Sequence, residues 1–195
     1  MFQELLNSWA VSFDLPILDW IQANLANPVL DFLMPWITLL GDAGIFWILC
    51  SVAMILIPKY RKTGLAMGVS LLIGLLVCNV TLKPLVGRIR PYDYQWQFFQ
   101  KEITLLVEGL HDFSFPSGHT IASFEAATAL LINNKKLGIP AMILAVLIAF
   151  SRLYLYVHYP TDVLTSIVLG IGIAFLGNFL VKKAFSLWES RKQAA

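Results

Sequence analysis

A histidine and an aspartate four residues apart, His158 and Asp162, follow a Ser-Arg pair at Ser151 and Arg152. A carboxylate this close to an imidazole can hold one ring nitrogen and leave the other free as a nucleophile. Pro160 suits the first turn of a helix, which puts Asp162 near the helix start and His158 just before it. The Arg152 guanidinium matches phosphate oxygens. The cluster predicts attack on a phosphoryl group; the alternative is an Arg152–Asp162 ion pair joining two helices.

A second cluster, Phe115-Pro-Ser-Gly-His-Thr120, leads directly into an apolar stretch. Proline in the first turn, followed by small residues, exposes backbone N–H groups at a helix N-terminus, where the helix dipole favours an anion. His119 lies close to that anion and is suited to donate a proton near neutral pH. The alternative is an ordinary capped helix with a histidine at the membrane interface.

A third cluster holds Lys83 and Arg90 on backbone that Pro84 and Pro91 constrain. Lys83 ends an apolar stretch, so both cations are expected at one membrane surface. Constrained cations suit an anionic substrate. The alternative is a juxtamembrane basic cluster that only binds anionic lipid headgroups.

Composition indicates which elements must position these clusters. The 195 residues are 58% hydrophobic and 13% charged, with a net charge of +2 and a mean hydropathy of +0.72. The charged share is about half that of soluble domains, so a membrane protein is expected. Five apolar stretches approach bilayer-spanning length. They are residues Gly44–Pro58, Thr63–Leu82, Ser117–Asn133, Gly138–Tyr156 and Pro160–Val181.

The N-terminal part is less apolar. Polar residues and prolines interrupt Ile17–Leu40, which favours interfacial or re-entrant helices and leaves a sixth crossing open. Gly41–Gly44 is predicted to be a turn. We therefore expect an all-α, integral-membrane helical bundle of about five to six transmembrane helices with N-terminal interfacial helices. It would be a single domain over residues 1–195.

The basic residues between the stretches predict the orientation of the bundle. Alternating crossings bring three basic segments to one side, which the positive-inside rule assigns to the cytoplasm. They are Lys59–Lys62, Asn133–Lys136, and Lys182-Lys183 with Arg191 and Lys192. The three clusters then meet on the extracytoplasmic side of the membrane.

The ordered triple Lys-x6-Arg-Pro, Pro-Ser-Gly-His and Ser-Arg-x5-His-x3-Asp resembles the signature of the type 2 phosphatidic acid phosphatase superfamily. No position departs from it between Lys83 and Asp162. Each fragment alone is weak, but the ordered set is specific. Met1–Gly41 and the residues after Val181 carry no recognised signature.

The resemblance implies a membrane phosphatase that works through a phosphohistidine. His158 would attack phosphorus, Asp162 would orient its ring, and His119 would protonate the leaving oxygen and then activate water. The groups implied to hold the phosphoryl oxygens are Lys83, Arg90, Ser117, Gly118 and Arg152. No metal and no other cofactor is implied, in agreement with the lack of a Cys/His ligand set or a dense carboxylate cluster.

Other polar, aromatic and small residues are expected to act outside the catalytic set. Arg88 is expected to be a substrate-entry or headgroup contact, and His111 a solvated loop residue. The aromatic residues of Tyr92–Phe99 suit anchoring at the interface. Small residues on the last apolar stretch predict close helix packing and leave a homodimer open. They are Gly170, Gly172, Ala174 and Gly177.

Substrate identity is the least determined feature. Small members with an outward-facing site act on undecaprenyl diphosphate, which is the first expectation; phosphatidylglycerol phosphate and phosphatidic acid are the alternatives. Soluble vanadium haloperoxidases share the signature, but the apolar composition disfavours them. A non-catalytic lipid-binding or transport protein is the remaining class. The expected partners are the bilayer and a lipid phosphate, and no nucleic acid.

Overall fold

The computed structural model describes residues 2–194, and these form helices and turns with no β-strand. Met1 and Ala195, the outermost residues of the predicted domain, lie outside the described residues. The helices are α1 Phe2–Trp9, a π-helical turn Ala10–Asp14, α2 Leu15–Leu25, α3 Pro28–Leu39, α4 Ile45–Leu56, α5 Arg61–Gly74, a π-helical segment Leu75–Leu82, α6 Lys83–Val86, α7 Pro91–Phe99, α8 Gly118–Asn133, α9 Lys135–Tyr154 and α10 Pro160–Ala194.

Four helical stretches are long and apolar enough to cross a membrane. They are Pro28–Leu56, Pro58–Phe99, Lys135–Tyr154 and Pro160–Lys192. With 16 residues, α8 falls short of that length, but it lies at the centre of the bundle and packs against α4, α5, α9 and α10. The all-α membrane bundle is therefore confirmed, with α8 as its central helix.

The turn predicted at Gly41–Gly44 is present and separates α3 from α4. Ala43 and Gly44 have φ angles of 46° and 67°, in the left-handed region that reverses a chain and that suits glycine. Asn27 caps α3 through hydrogen bonds from the amides of Val29 and Leu30. The stretch Pro28–Leu56 is thus two helices joined by a turn.

The N-terminal helices lie at one end of the bundle, against the end of α9. Gln22 in α2 donates to the Tyr154 carbonyl at 2.5 Å, and Tyr154 donates to Asp31 in α3 at 2.6 Å. Thr38, near the other end of α3, accepts from Arg152. Because both ends of α3 contact the last turn of α9, α3 lies across this end of the bundle.

Glycines on α10 allow two close helix contacts. A Cβ at Gly170 would lie 3.0 Å from the Ile121 carbonyl oxygen of α8, and one at Gly177 would lie 3.1 Å from the Ser70 amide of α5. The predicted packing role is confirmed for these two. It is wrong for Gly172, where a Cβ would meet no atom of the described chain within 4 Å.

The basic segments gather at the end of the bundle opposite to Lys83 and His158. This end of the bundle contains the end of α4, the start of α5, the C-terminus of α8 and the N-terminus of α9. Lys62 reaches Glu189 of α10 at 3.3 Å. The chain therefore has one basic end and one end that carries the three clusters.

Candidate active site

A cavity of about 620 Å³ lies between α4, α5 and α8, and its polar end collects the predicted site residues. Those lining it are Lys83, Arg90, Gly118, His119, Arg152 and His158. Most of the remaining lining is apolar and comes from α4, α5 and the π-helical segment, including Ile48, Val52, Ile55, Leu71, Leu72 and Leu75; Ser51, Asn79 and Glu125 also line it. The cavity thus joins a cationic end to an apolar groove.

His158 lies in the short turn between α9 and α10 and is 2% exposed. Its Nε2 is 3.3 Å from Arg90 Nη1, inside the cavity, and its Nδ1 faces away from the cavity. Burial, together with the positive charges of Arg90 and Arg152, holds the pKa of His158 well below its ordinary value. The imidazole is therefore neutral at neutral pH and keeps the lone pair that a nucleophile requires.

Three tyrosines, Tyr154, Tyr156 and Tyr159, surround His158 and pack against the turn between α9 and α10. Tyr156 has a φ of 60°, and its hydroxyl accepts from Gln95 and donates to Asp19, both at 2.8 Å. These bonds hold the left-handed residue in place. The Tyr154 hydroxyl bonds Asp31, and the Tyr159 ring lies 3.7 Å from the Arg88 guanidinium carbon.

Ser114 lies beside both His158 and Asp162, and nothing in its sequence position indicates this contact. Asp162 Oδ2 is 3.7 Å from His158 Nδ1, too far for a hydrogen bond. Ser114 Oγ donates to Asp162 Oδ2 at 2.5 Å and lies 3.4 Å from His158 Nδ1. The predicted pairing of Asp162 with the His158 ring is therefore an ion-pair contact without a direct hydrogen bond, and Ser114 touches both groups.

Arg88 is buried and bridges two carboxylates. It contacts Asp162 Oδ1 at 2.6 Å through Nη1 and Asp14 Oδ2 at 2.7 Å through Nη2. The prediction of a substrate-entry or headgroup contact is wrong, because both terminal nitrogens of Arg88 are held by these carboxylates and its side chain does not line the cavity. Asp14, from a segment without recognised signature, also accepts from the Thr161 amide at 2.9 Å. Arg88 thereby fixes the Asp162 carboxylate from the side opposite to Ser114.

Arg90 and Lys83 form the cationic wall of the cavity. Arg90 donates to the Val157 carbonyl at 2.7 Å and to the Asp112 carbonyl at 2.9 Å. The Asp112 carboxylate contacts both Lys83 Nζ and Arg90 Nη2. The sequence analysis left Asp112 without a role.

Arg152 is 2% exposed and bonds Thr38 Oγ1 at 2.5 Å. Its Nε and Nη2 are buried and find no hydrogen-bond partner among the described residues. The alternative of an Arg152–Asp162 ion pair is wrong, because Asp162 pairs with Arg88. Buried donors without partners are costly, and these two suit an anion that enters the cavity.

The start of α8 brings His119 and Gly118 to the cavity but not Ser117. The Ser117 amide donates to Ser166 at 2.8 Å, and its hydroxyl accepts from Thr120 at 3.0 Å. Gly41 makes room for His119, because a Cβ there would lie 2.8 Å from the ring Cδ2. A phosphate contact by Ser117 stays a prediction.

The remaining polar residues divide by location. His111 is exposed, in agreement with a solvated loop residue. Glu125 of α8 is 1% exposed and lines the cavity beside Gly74, whose missing side chain leaves space for the carboxyl group. Among residues 2–194, no group of three or more His, Cys, Asp or Glu side chains is arranged to hold a metal ion.

Comparison with known proteins identifies the class. The profile of the PAP2 superfamily matches residues 63–186. An undecaprenyl-diphosphatase of Sulfolobus acidocaldarius is 34% identical over 67% of this chain and 61% of its own length. The undecaprenyl-diphosphatase BcrC of Bacillus subtilis is 33% identical over 77% of this chain and 74% of its own. The chain spans less than two thirds of the first of these relatives.

A solved structure extends the comparison to the fold. A transmembrane PAP2-type phosphatidylglycerolphosphate phosphatase of Bacillus subtilis superposes with a TM-score of 0.63 and 30% identity, covering 81% of this chain and 79% of that one. The chain belongs to the PAP2 superfamily. The family is the one that the ordered triple of motifs predicted, and the four long apolar helices agree with an integral-membrane protein.

Proposed function

We propose that the protein removes the terminal phosphoryl group of undecaprenyl diphosphate through a phosphohistidine at His158. The observation that carries the proposal is the continuity of the cavity. Its polar end holds His158 and three cations, and the same cavity continues into a groove of apolar side chains. A diphosphate headgroup on a long hydrocarbon chain has both of the required properties.

The first step uses Nε2 of His158, the ring nitrogen that faces the cavity. Nε2 forms a bond to the terminal phosphorus as the bond from phosphorus to the bridging oxygen breaks. His119, protonated while the negative charge of the bound headgroup offsets the nearby cations, gives its proton to that oxygen, so the lipid leaves as a monophosphate. Ser114 and Asp162 steady the ring on its Nδ1 side and favour the positive charge that develops there.

The second step releases inorganic phosphate. Water attacks the phosphohistidine, His119 takes the proton from that water, and the bond from nitrogen to phosphorus breaks. Lys83, Arg90 and Arg152 stabilise the negative charge in both steps because they are fixed before substrate arrives. The unpartnered Nε and Nη2 of Arg152 supply donors that the resting protein does not use.

The choice of lipid is supported by the relatives named undecaprenyl-diphosphatase. The second candidate is phosphatidylglycerol phosphate, which the similar solved structure and the phosphatidylglycerophosphatase B of Bacillus subtilis, 32% identical, favour. Both lipids present a phosphoryl group to the same cations. A preference for one of them must therefore come from the length and number of hydrocarbon chains that the apolar groove accepts.

The same proposal places the site on the extracytoplasmic side of the cytoplasmic membrane. The basic residues of the opposite end, such as Lys59 and Lys135, would then face the cytoplasm. The whole chain, residues 1–195, acts as one phosphatase domain, and nucleic acid is not a partner. The open space beside Gly172 on α10 would suit a homodimer contact.

The test is phosphate release by detergent-purified protein, with and without a metal chelator. Undecaprenyl diphosphate, phosphatidylglycerol phosphate and phosphatidic acid are compared as substrates. His158→Ala removes the nucleophile, and His111→Ala is the matched control because His111 is exposed and does not itself line the cavity.

We expect chelator-resistant release that His158→Ala abolishes and His111→Ala retains, with undecaprenyl diphosphate preferred. Acid-labile phosphate trapped on the wild type and absent from His158→Ala would support the intermediate. Preference for phosphatidylglycerol phosphate would select the second candidate. Binding of all three lipids with no release by wild type would overturn the enzyme assignment in favour of a binding or transport protein.

A further inference from the structure

Asp112 places a carboxylate on the two cations that line the cavity. One carboxylate oxygen contacts Lys83 Nζ and the other contacts Arg90 Nη2. The side chains of Lys83 and Arg90 are 12% and 2% exposed, whereas that of Asp112 is 55% exposed. The carboxylate therefore occupies the position where the proposed function puts phosphoryl oxygens.

Charge makes this arrangement incompatible with bound phosphate. Burial raises the pKa of Asp112, but hydrogen bonds from Lys83 and Arg90 outweigh it and lower the pKa to about 2. The group is therefore ionised at neutral pH. A phosphoryl group that carries about 1.5 to 2 negative charges would meet a like charge across the same two cations.

The carboxylate can leave while the backbone stays in place. Tyr92 holds Leu110 through hydrogen bonds of 2.8 and 3.0 Å, and the Ser114 amide donates to the Arg88 carbonyl at 2.7 Å. Arg90 Nε also holds the Asp112 carbonyl. Only the exposed side chain needs to rotate toward solvent.

We propose that Asp112 is an internal competitor for the phosphate site. Its carboxylate leaves Lys83 and Arg90 when the substrate phosphoryl group binds, and it returns to them as inorganic phosphate departs. This inference rests on the proposed function for the identity of the substrate, but not for the anion site itself. Asp112 thereby lowers the affinity for product and speeds its release.

The test measures inorganic phosphate binding to the detergent-solubilised full chain by calorimetry, and phosphate inhibition of lipid hydrolysis. Asp112→Asn removes the charge and keeps the backbone carbonyl that Arg90 holds, and Asp112→Ser is a second variant of different shape. Glu108→Gln is the matched control, because Glu108 is an exposed acid of the same segment.

We expect both Asp112 variants to bind phosphate about tenfold more tightly, or more, with lower KM and lower kcat. Glu108→Gln should behave as wild type. Unchanged or weaker phosphate binding in both Asp112 variants would overturn the inference, whatever the lipid activity. Tighter binding in a protein that hydrolyses none of the lipids would uphold the competitor role and defeat the proposed function instead.

Discussion

Ser114→Ala is the substitution that best separates a catalytic hydroxyl from ordinary packing. The change removes one oxygen that contacts both the Asp162 carboxylate and the His158 ring. Arg88 and the Tyr159 amide still hold Asp162, so the carboxylate remains buried and paired. The loss should therefore affect the orientation of His158 more than the stability of the fold.

The magnitude follows from the hydrogen bond that disappears. A hydrogen bond to a charged group contributes about 1.5–3 kcal/mol. If that energy holds the ring and the charge that develops on it in the transition state, kcat falls roughly 10-fold to 150-fold. KM should change little, because Ser114 does not line the cavity.

The assay is phosphate release under saturating lipid diphosphate, with thermal denaturation of the same preparations. Ser70→Ala is the matched control: Ser70 is also fully buried, but its hydroxyl bonds only the Ala66 carbonyl of its own helix. Asp162→Asn, and the double variant that combines it with Ser114→Ala, complete a double-mutant cycle. Because the two groups hold one ring together, their effects on kcat should be less than additive.

Three results would refute this reasoning. The first is a kcat for Ser114→Ala equal to that of wild type or of Ser70→Ala. The second is full additivity in the cycle, which would mean that the hydroxyl and the carboxylate act on His158 separately. A fall in the denaturation midpoint large enough to explain the lost activity would likewise assign Ser114 to packing.

Three further predictions follow from the same contacts. Arg88→Leu should destabilise the fold by about 3–5 kcal/mol, since it leaves two buried carboxylates unpaired. Chemical denaturation measures this, and an unchanged free energy of unfolding would contradict the prediction. Gly41→Ala should lower kcat, because the added methyl group crowds His119 at a cost of about 1–3 kcal/mol. The fall in kcat should be smallest for a substrate with a phenolic leaving group, which needs no proton from His119. An equal fall for all leaving groups would contradict this prediction. The pKa of His158 is lowered in the folded protein. On acidification, the unfolded chain therefore protonates this histidine near about pH 6.5, before the folded protein does. Stability should therefore fall more steeply on acidification in wild type than in His158→Gln, and parallel pH profiles would oppose this.

The apolar helices and the meeting of the three clusters could be predicted from sequence because each has a local cause. Long apolar runs predict the helices, and the count of crossings brings Lys83, His119 and His158 to one end. The Gly41–Gly44 turn was predictable from its glycines. The alternating direction of the membrane crossings is therefore enough to predict at which end of the bundle the site lies.

The side-chain partners within the site were not predictable in the same way. Ser114 carries no spacing signal relative to His158 or Asp162, and its position depends on how the irregular segment after α7 returns to the bundle. Arg88 falls outside the Lys-x6-Arg-Pro spacing, so the sequence indicated a substrate-entry or headgroup contact and not a buried ion pair. Its partner Asp14 comes from a helix that only tertiary packing brings to α10.

Residues outside the matched family region complete this site. The superfamily profile begins at residue 63, yet Asp14 fixes Arg88, Thr38 bonds Arg152, and Gly41 leaves space for His119. Each of these residues acts on a different motif of the signature. The N-terminal helices are therefore best understood as a support that holds three motifs in one geometry.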